Sequence, residues 1–118
     1  MKKRVNPSRA QAHDVRRVKA RLLPLLPRGT RVDIEVWGGG GISGLCWLAK
    51  KRHWKIRVNA DLDEVGFIDT LLHEFAHAIA GIGVEPEGDH GPLWGVCYAL
   101  CYRTFHERRS IRANRPRN

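Results

Sequence analysis

The sequence predicts an α+β fold in which an N-terminal helix and a small three-stranded sheet precede two further helices. Apolar residues recur at helical spacing before residue 24 and after residue 64, whereas they alternate with polar residues between residues 31 and 58. The length of 118 residues suits a single domain, residues 1–118. Because 42% of the residues are hydrophobic and 28% are charged, the chain can form a packed core, which excludes a disordered protein.

The first helix is predicted over residues 8–23. Ser8 is a candidate N-cap, and apolar residues recur every three or four positions until Pro24 interrupts the pattern. This spacing is typical of an amphipathic helix that packs one face on a core.

Three strands are predicted: Arg31–Trp37 and Trp54–Val58, where apolar and polar residues alternate, and Leu45–Leu48, a strand-like apolar run. The glycine-rich segment Gly38–Gly41 follows the first strand and formally begins a GxGxxG pattern. A strand-like run follows this pattern, whereas a dinucleotide site needs a helix, so we expect a flexible hairpin connection there. Lys50–Arg52 is predicted to form the next turn.

The last two helices are predicted from a change to helical periodicity. The first covers Val65–Gly81, with Gly81 as its C-cap, and its apolar side chains are spaced three and four residues apart. The second is expected to begin at Pro92, which suits a first helical turn, and to continue through Phe105.

The net charge of +9 is concentrated at the two ends of the chain. Residues 1–31 contain ten Lys and Arg against one acidic residue, whereas residues 32–102 contain ten acidic residues against five basic ones. We expect the basic N-terminal segment, residues 1–8, and the Arg-rich C-terminal tail, residues 106–118, to be flexible. Basic ends favour contact with DNA or RNA through counterion release, although they also promote solubility.

The cysteines and the lack of a long apolar run predict a cytoplasmic protein with no membrane partner. Cys46, Cys97 and Cys101 are odd in number and show no CxxC spacing, which disfavours a disulfide framework and a zinc ribbon. We expect these thiols to be reduced and mostly buried. No stretch has the length of a bilayer-spanning helix, and the basic N-terminus is followed by polar residues.

The segment HEFAH, with His73, Glu74 and His77, predicts a zinc site on the first of the two late helices. At about 100° per residue, a spacing of four brings both imidazoles to one side of a helix, where they can share one metal ion. Glu74 lies one step around the helix, within reach of a water molecule on that metal. The apolar residues of the same helix cluster on the opposite side, which predicts one chemical face and one packing face.

A catalytic zinc site needs a third protein ligand, and two common sources are excluded. The extended HExxHxxGxxH motif would require Gly at position 80 and His at position 83, where the chain has Ala80 and Gly83. A thermolysin-like site would require a glutamate on the following helix, but the segment from Pro92 to His106 contains none.

His90 is the best candidate for the third ligand. It follows His77 by thirteen residues, and a loop of that length can return it across the helix face. Glu85, Glu87 and Asp89 are alternatives in the same loop, and Asp89 could instead accept a hydrogen bond from a ligand imidazole.

The arrangement resembles the SprT/Spartan-like zinc metallopeptidases, and their YgjP-like relatives look similar. The pattern that carries the resemblance is HExxH, a short loop and a third histidine in an HGxxF/W context, represented here by His73, Glu74, His77, His90, Gly91 and Trp94. The similarity extends over roughly residues 44–105. It implies a compact zincin-like domain, with a helix and a small sheet packed on the active-site helix.

Residue by residue, the resemblance implies His73, His77 and His90 as ligands of Zn²⁺ and Glu74 as the general base of a metalloendopeptidase. Its substrate would be a protein or peptide, and cleavage of nucleic-acid-associated proteins is typical of the Spartan branch. The chain departs from many bacterial members because it has an Arg-rich tail with no CxxC ribbon. Because the chain is short, we expect any recognition module of the larger relatives to be missing or reduced to the basic ends.

Two other functions are compatible with these motifs. In the first, the chain is a small basic nucleic-acid-binding protein whose zinc site is structural. Glu74 argues against this alternative, because a structural site needs no carboxylate beside its first ligand. In the second, the zinc site hydrolyses a non-peptide substrate, a chemistry that HExxH also allows.

Overall fold

The chain folds into three helices and one four-stranded mixed sheet in the computed structural model, which describes residues 1–81 and 90–107. In chain order the elements are β1 (Lys3–Arg4), α1 (Arg9–Leu22), β2 (Arg31–Gly38), β3 (Gly44–Lys50), β4 (His53–Asn59), α2 (Glu64–Ala80) and α3 (Pro92–His106). The predicted α+β class is confirmed. No helix in these two ranges combines the length and the apolar character that a bilayer crossing requires.

Helix α1 begins at the predicted cap. The Ser8 hydroxyl accepts a hydrogen bond from the Gln11 backbone N–H, and the Gln11 side chain accepts one from the Ser8 N–H, each at 3.0 Å. This reciprocal capping box satisfies two backbone donors that the first helical turn would leave without a partner. The helix ends at Leu22 and continues as a short 3₁₀ turn over Leu23–Leu25, which contains Pro24.

The sheet has the strand order β1-β2-β4-β3, so the predicted hairpin between β2 and β3 is wrong. β4 lies between them, parallel to β2 and antiparallel to β3. Trp54, Ile56 and Val58 of β4 are all buried, which explains why this strand occupies a central position. The glycine-rich segment therefore carries the chain past the end of β4 instead of folding it back on β2.

Two other features of the sheet bear on the sequence predictions. The turn between β3 and β4 lies where Lys50–Arg52 predicted it, and Arg52 has a positive φ of 58°. The sheet has a fourth strand that was not predicted, because Lys3 and Arg4 pair with Gly38 and Trp37 at the edge of the sheet. This pairing lies within the segment expected to be flexible, residues 1–8. The tail beyond Glu107 lies outside the described residues.

Helix α2 is the central element of the core. Its N-cap is Asp63, whose side chain accepts a hydrogen bond from the Gly66 N–H at 2.7 Å. It ends at the predicted C-cap, where Gly81 has a φ of 75° that a side chain would disfavour. Nine of its residues are buried: Phe67, Ile68, Leu71, Leu72, Glu74, Phe75, Ala76, His77 and Ala78. The helix thus packs on most of its surface, with the sheet on one side and α1 and α3 on others.

All three cysteines are free and buried, as predicted. Burial raises the pKa of the Cys101 thiol to about 12 and also raises the pKa of the Cys46 and Cys97 thiols. These side chains therefore remain protonated near neutral pH and act as small apolar groups in the core.

Asn59, at the end of β4, holds the glycine-rich connection in place. Its side chain is buried, and its amide donates hydrogen bonds to the carbonyl oxygens of Ile42 at 3.1 Å and Gly40 at 3.4 Å. Its side-chain oxygen accepts a hydrogen bond from the Asp61 N–H at 2.8 Å. One polar side chain thus bonds three backbone groups in two segments without regular structure, one before β3 and one after β4.

Asn59→Ala should lower the free energy of unfolding by about 1–3 kcal/mol, because the three hydrogen bonds of the buried Asn59 side chain would be lost. Chemical denaturation of both proteins measures the change. Asn6→Ala, at an exposed position, is the matched control and should unfold at the wild-type midpoint. Equal midpoints for the two variants would contradict the role assigned to Asn59.

Candidate metal centre

Helix α2 presents His73 and His77 on the same side, one turn apart. Their ring centroids lie 5.0 Å apart, as the four-residue spacing predicted. The two side chains differ in exposure: 34% of the His73 side chain is exposed, whereas His77 is buried. The pair therefore extends from the core to the protein surface.

The start of α3 brings His90 to these two residues. The Nε2 atoms of His90 and His73 lie 2.9 Å apart, and the His90 and His77 ring centroids lie 4.9 Å apart. One potential ligand atom from each of the three histidines lies within 4.8 Å of the others. The three side chains could therefore hold one metal ion. Glu85, Glu87 and Asp89, the alternative third ligands, lie outside the described residues.

Glu74 is buried beside this cluster. Its Oε2 atom lies 4.0 Å from the Nε2 atom of His73, and the residue is only 6% exposed. A buried carboxylate is costly unless its surroundings compensate for the lost hydration, and such groups concentrate at functional sites. The structure thus places the predicted acid-base residue next to the three histidines.

Strand β3 passes unusually close to Glu74, and Gly44 makes this approach feasible. A Cβ atom at Gly44 would lie 2.5 Å from the Thr70 methyl carbon and 3.0 Å from the Glu74 Oε2 atom. Any side chain there would collide with α2 or displace the carboxylate. The role of Gly44 was not predicted from the sequence, although an isolated glycine in a strand is a known signal of close backbone approach.

Trp94 of α3 contacts all three histidine rings. Its ring centroid lies 4.7 Å from that of His73, 4.8 Å from that of His90 and 5.7 Å from that of His77. Its indole N–H donates a hydrogen bond to the backbone carbonyl of His73 at 3.3 Å. In the sequence Trp94 is only one position of a motif, whereas in the structure it supports the three imidazoles.

Tyr98 extends the same contact by one helical turn. Its ring stacks on Trp94, with centroids 5.2 Å apart and an interplanar angle of 16°. Its hydroxyl donates a hydrogen bond to Asp69, one turn before His73 on α2. Burial, followed by this hydrogen bond, raises the pKa of Tyr98 to about 12. Trp94 and Tyr98 thus link α3 to α2 at two successive turns.

Within residues 1–81 and 90–107, the cluster is partly exposed. His90 is exposed and His73 is partly exposed, whereas Glu74 and His77 face the core. An ion held by these imidazoles would be accessible to water and to a second molecule from the His90 side.

Comparison of the chain with protein-family models, with curated proteins and with solved structures gave no match.

His90→Ala should abolish stoichiometric metal binding, because it removes one of the three candidate ligands. Elemental analysis of protein purified without added metal should find about one metal ion per wild-type chain and far less in the variant. His13→Ala, which removes an exposed histidine of α1, should retain the metal. Full retention in His90→Ala would transfer the third-ligand role to Glu85, Glu87 or Asp89.

Trp94→Ala should weaken metal binding about tenfold, since residues that contact and orient metal ligands commonly contribute 10–100-fold to metal affinity. Titration with Co²⁺, followed by its visible absorption, measures both the affinity and the ligand geometry. Tyr102→Ala removes an exposed aromatic side chain two turns further along α3 and should leave the titration unchanged. An identical affinity for Trp94→Ala and the wild type would show that Trp94 does not support the ligands.

Proposed function

We propose that the protein is a zinc-dependent metalloendopeptidase in which His73, His77 and His90 hold Zn²⁺ and Glu74 is the general base. The observation that carries this proposal is the meeting of three histidine donors within 4.8 Å, beside the buried carboxylate of Glu74. The order of these residues in HExxH, followed by a third histidine, adds the resemblance to SprT/Spartan-like peptidases. A zincin-like fold is part of the same proposal.

The donor set suits zinc. Imidazole nitrogen is a preferred zinc ligand, and a bond length of 2.0–2.1 Å gives tetrahedral ligand atoms a separation of about 3.3 Å. The separation between His73 and His90, 2.9 Å, and the overall limit of 4.8 Å lie on either side of this value. Catalytic zinc sites commonly have three protein ligands and an accessible fourth position, a pattern that the partial exposure of this cluster supports.

Glu74 would move the proton in the proposed reaction. A bound zinc ion supplies a Lewis acid that polarises the peptide carbonyl and makes the attacking water more acidic. Glu74 would accept a proton from that water at a carboxylate oxygen and deliver it to the leaving amine. Gly44 leaves the space that this carboxylate occupies, and Trp94 fixes the imidazoles beside it.

The proposed substrates are proteins or peptides, including proteins bound to nucleic acid. The high positive charge at both ends of the chain supports this extension, because DNA or RNA contact through the termini would concentrate the enzyme near such substrates. The three free, buried cysteines are compatible with the cytoplasm as the site of action.

The two alternatives make different demands on the site. A structural zinc site is usually closed by four protein ligands and has no need of a buried glutamate next to the first one. A hydrolase of non-peptide substrates would use the same residues, so only the choice of substrate distinguishes it from a peptidase.

Glu74→Gln should keep its zinc. Its rate of cleavage of an unfolded protein should fall by about 100-fold or more, because general acid-base catalysis contributes 10²–10⁴-fold to the rate. Release of peptides from labelled, unfolded casein measures the rate, and elemental analysis measures the zinc. Removal of zinc by a chelator should abolish the rate, and added zinc should restore it.

Glu64→Gln is the matched control for this experiment, because it makes the same chemical change at an exposed position in the first turn of α2. It should cleave at the wild-type rate. Undiminished cleavage by Glu74→Gln would remove Glu74 from the mechanism. Hydrolysis of small esters or amides without cleavage of casein would favour the non-peptide hydrolase, and zinc binding without either activity would favour the structural site.

A further inference from the structure

The sheet has a second face that the proposed peptidase site does not use. Its inner face packs on α2 through β3 and β4, and α1 and α3 pack on α2 in turn. Residues paired across neighbouring strands share a face, so the register defines the opposite, outer face. The outer face consists of Arg4, Arg31, Asp33, Glu35, Trp37, Leu45, Trp47, Lys50, His53, Lys55, Arg57 and Asn59.

Two tryptophans and one arginine form a row across this outer face. The Arg57 guanidinium carbon lies 3.8 Å from the ring centroid of Trp37 and 4.9 Å from that of Trp47. Both indoles are partly exposed, and the face on which they lie carries many charged side chains. The row joins three strands, since Trp37 is on β2, Arg57 is on β4 and Trp47 is on β3.

The carboxylates of the outer face are already paired with cations. Glu35 lies 3.2 Å from Arg57 and 3.7 Å from Arg4 and accepts a hydrogen bond from the Trp37 indole N–H at 3.0 Å. Burial alone would raise the pKa of Glu35, but the hydrogen bonds from Trp37 and Arg57 lower it. This carboxylate therefore remains ionised at neutral pH and fixes the orientation of both partners.

Asp33 is paired in the same way. It lies 2.8 Å from His53 and 3.2 Å from Arg31. The hydrogen bond from His53 is the main cause that lowers the pKa of Asp33. The outer face thus has two carboxylates, both in ion pairs, against five basic side chains: Arg4, Arg31, Lys50, Lys55 and Arg57. Its net charge is positive, and its complement is a polyanion.

We infer that the outer face binds single-stranded DNA or RNA. Surfaces that bind single strands combine aromatic side chains, on which bases stack, with cations that follow the phosphates. Trp37 and Trp47 supply the aromatic groups, and the basic residues around them supply the cations. A duplex has its bases paired and stacked internally, so it could use only the cations.

This inference stands apart from the proposed peptidase activity. The outer face and the histidine cluster are on opposite sides of the sheet, because Gly44 packs on Glu74 from the inner face. It also differs from contact through the basic termini, since Lys50, Lys55, Arg57 and both tryptophans lie in the middle of the chain. Nucleic acid bound there would leave the exposed side of the histidine cluster accessible.

Fluorescence anisotropy of a labelled oligothymidylate of about 12 nucleotides, titrated with the full chain, tests the inference. Trp47→Ala should weaken binding at least about fivefold, since stacking on one aromatic side chain contributes 1–3 kcal/mol per base. Tyr102→Ala, which removes an exposed aromatic residue from α3, should bind like the wild type. A duplex of equal length should bind more weakly than the single strand.

A pair of charge reversals keeps the test independent of the folding of Trp47→Ala. Lys50→Glu and Arg16→Glu change the net charge equally at exposed positions, the first on the outer face and the second on α1. The inference predicts a clearly larger loss of affinity for Lys50→Glu. Equal losses for the two charge variants, or equal binding of folded Trp47→Ala and wild type, would overturn it in favour of contact through the termini. Equal affinity for duplex and single strand would also overturn it.

Discussion

The packing of α3 on α2 is the interaction on which the candidate metal centre depends. His73 and His77 come together wherever a helix forms, but His90 reaches them only when α3 is held in one register against α2. Trp94 fixes that register through its hydrogen bond to the His73 carbonyl, and the bond from Tyr98 to Asp69 fixes it one turn away. At the other end of α3, Arg21 donates a hydrogen bond to the Phe105 carbonyl and anchors the helix to α1. The third candidate ligand, His90, is thus positioned by tertiary contacts along the whole of α3.

The sheet has two chemically different faces, and the central strand β4 contributes side chains to both. On the inner face, its apolar side chains pack on α2, and the neighbouring strand brings Gly44 to Glu74. On the outer face, Arg57 of the same strand pairs with Glu35 and stacks on two tryptophans. Because side chains alternate along a strand, residues adjacent in the chain serve different faces. Substitutions on the two faces should therefore affect metal binding and nucleic-acid binding separately.

The sequence predicted the features whose signals are local. Ser8 and Gly81 mark helix ends because capping needs only neighbouring residues, and the four-residue spacing of His73 and His77 fixes a face of any helix. The pairing of strands is not local. The segment after β2 suits a hairpin by composition, yet β4 takes the neighbouring position because its buried side chains complete the core. The roles of Gly44 and Trp94 likewise depend on elements that are distant in the chain, so periodicity could not reveal them.

The distribution of charge on the folded surface, like the pairing of strands, could not be predicted by counting residues along the sequence. Residues 32–102 contain twice as many acidic as basic residues, which predicts an acidic centre between two basic ends. Folding redistributes these charges: Lys50, Lys55 and Arg57 join Arg4 and Arg31 on the outer face, where the two carboxylates are already paired. Other acidic residues, among them Glu64, Asp69 and Glu74, lie on α2, on the opposite side of the sheet. The fold thus separates a positive surface from the acidic helix that carries the candidate metal centre.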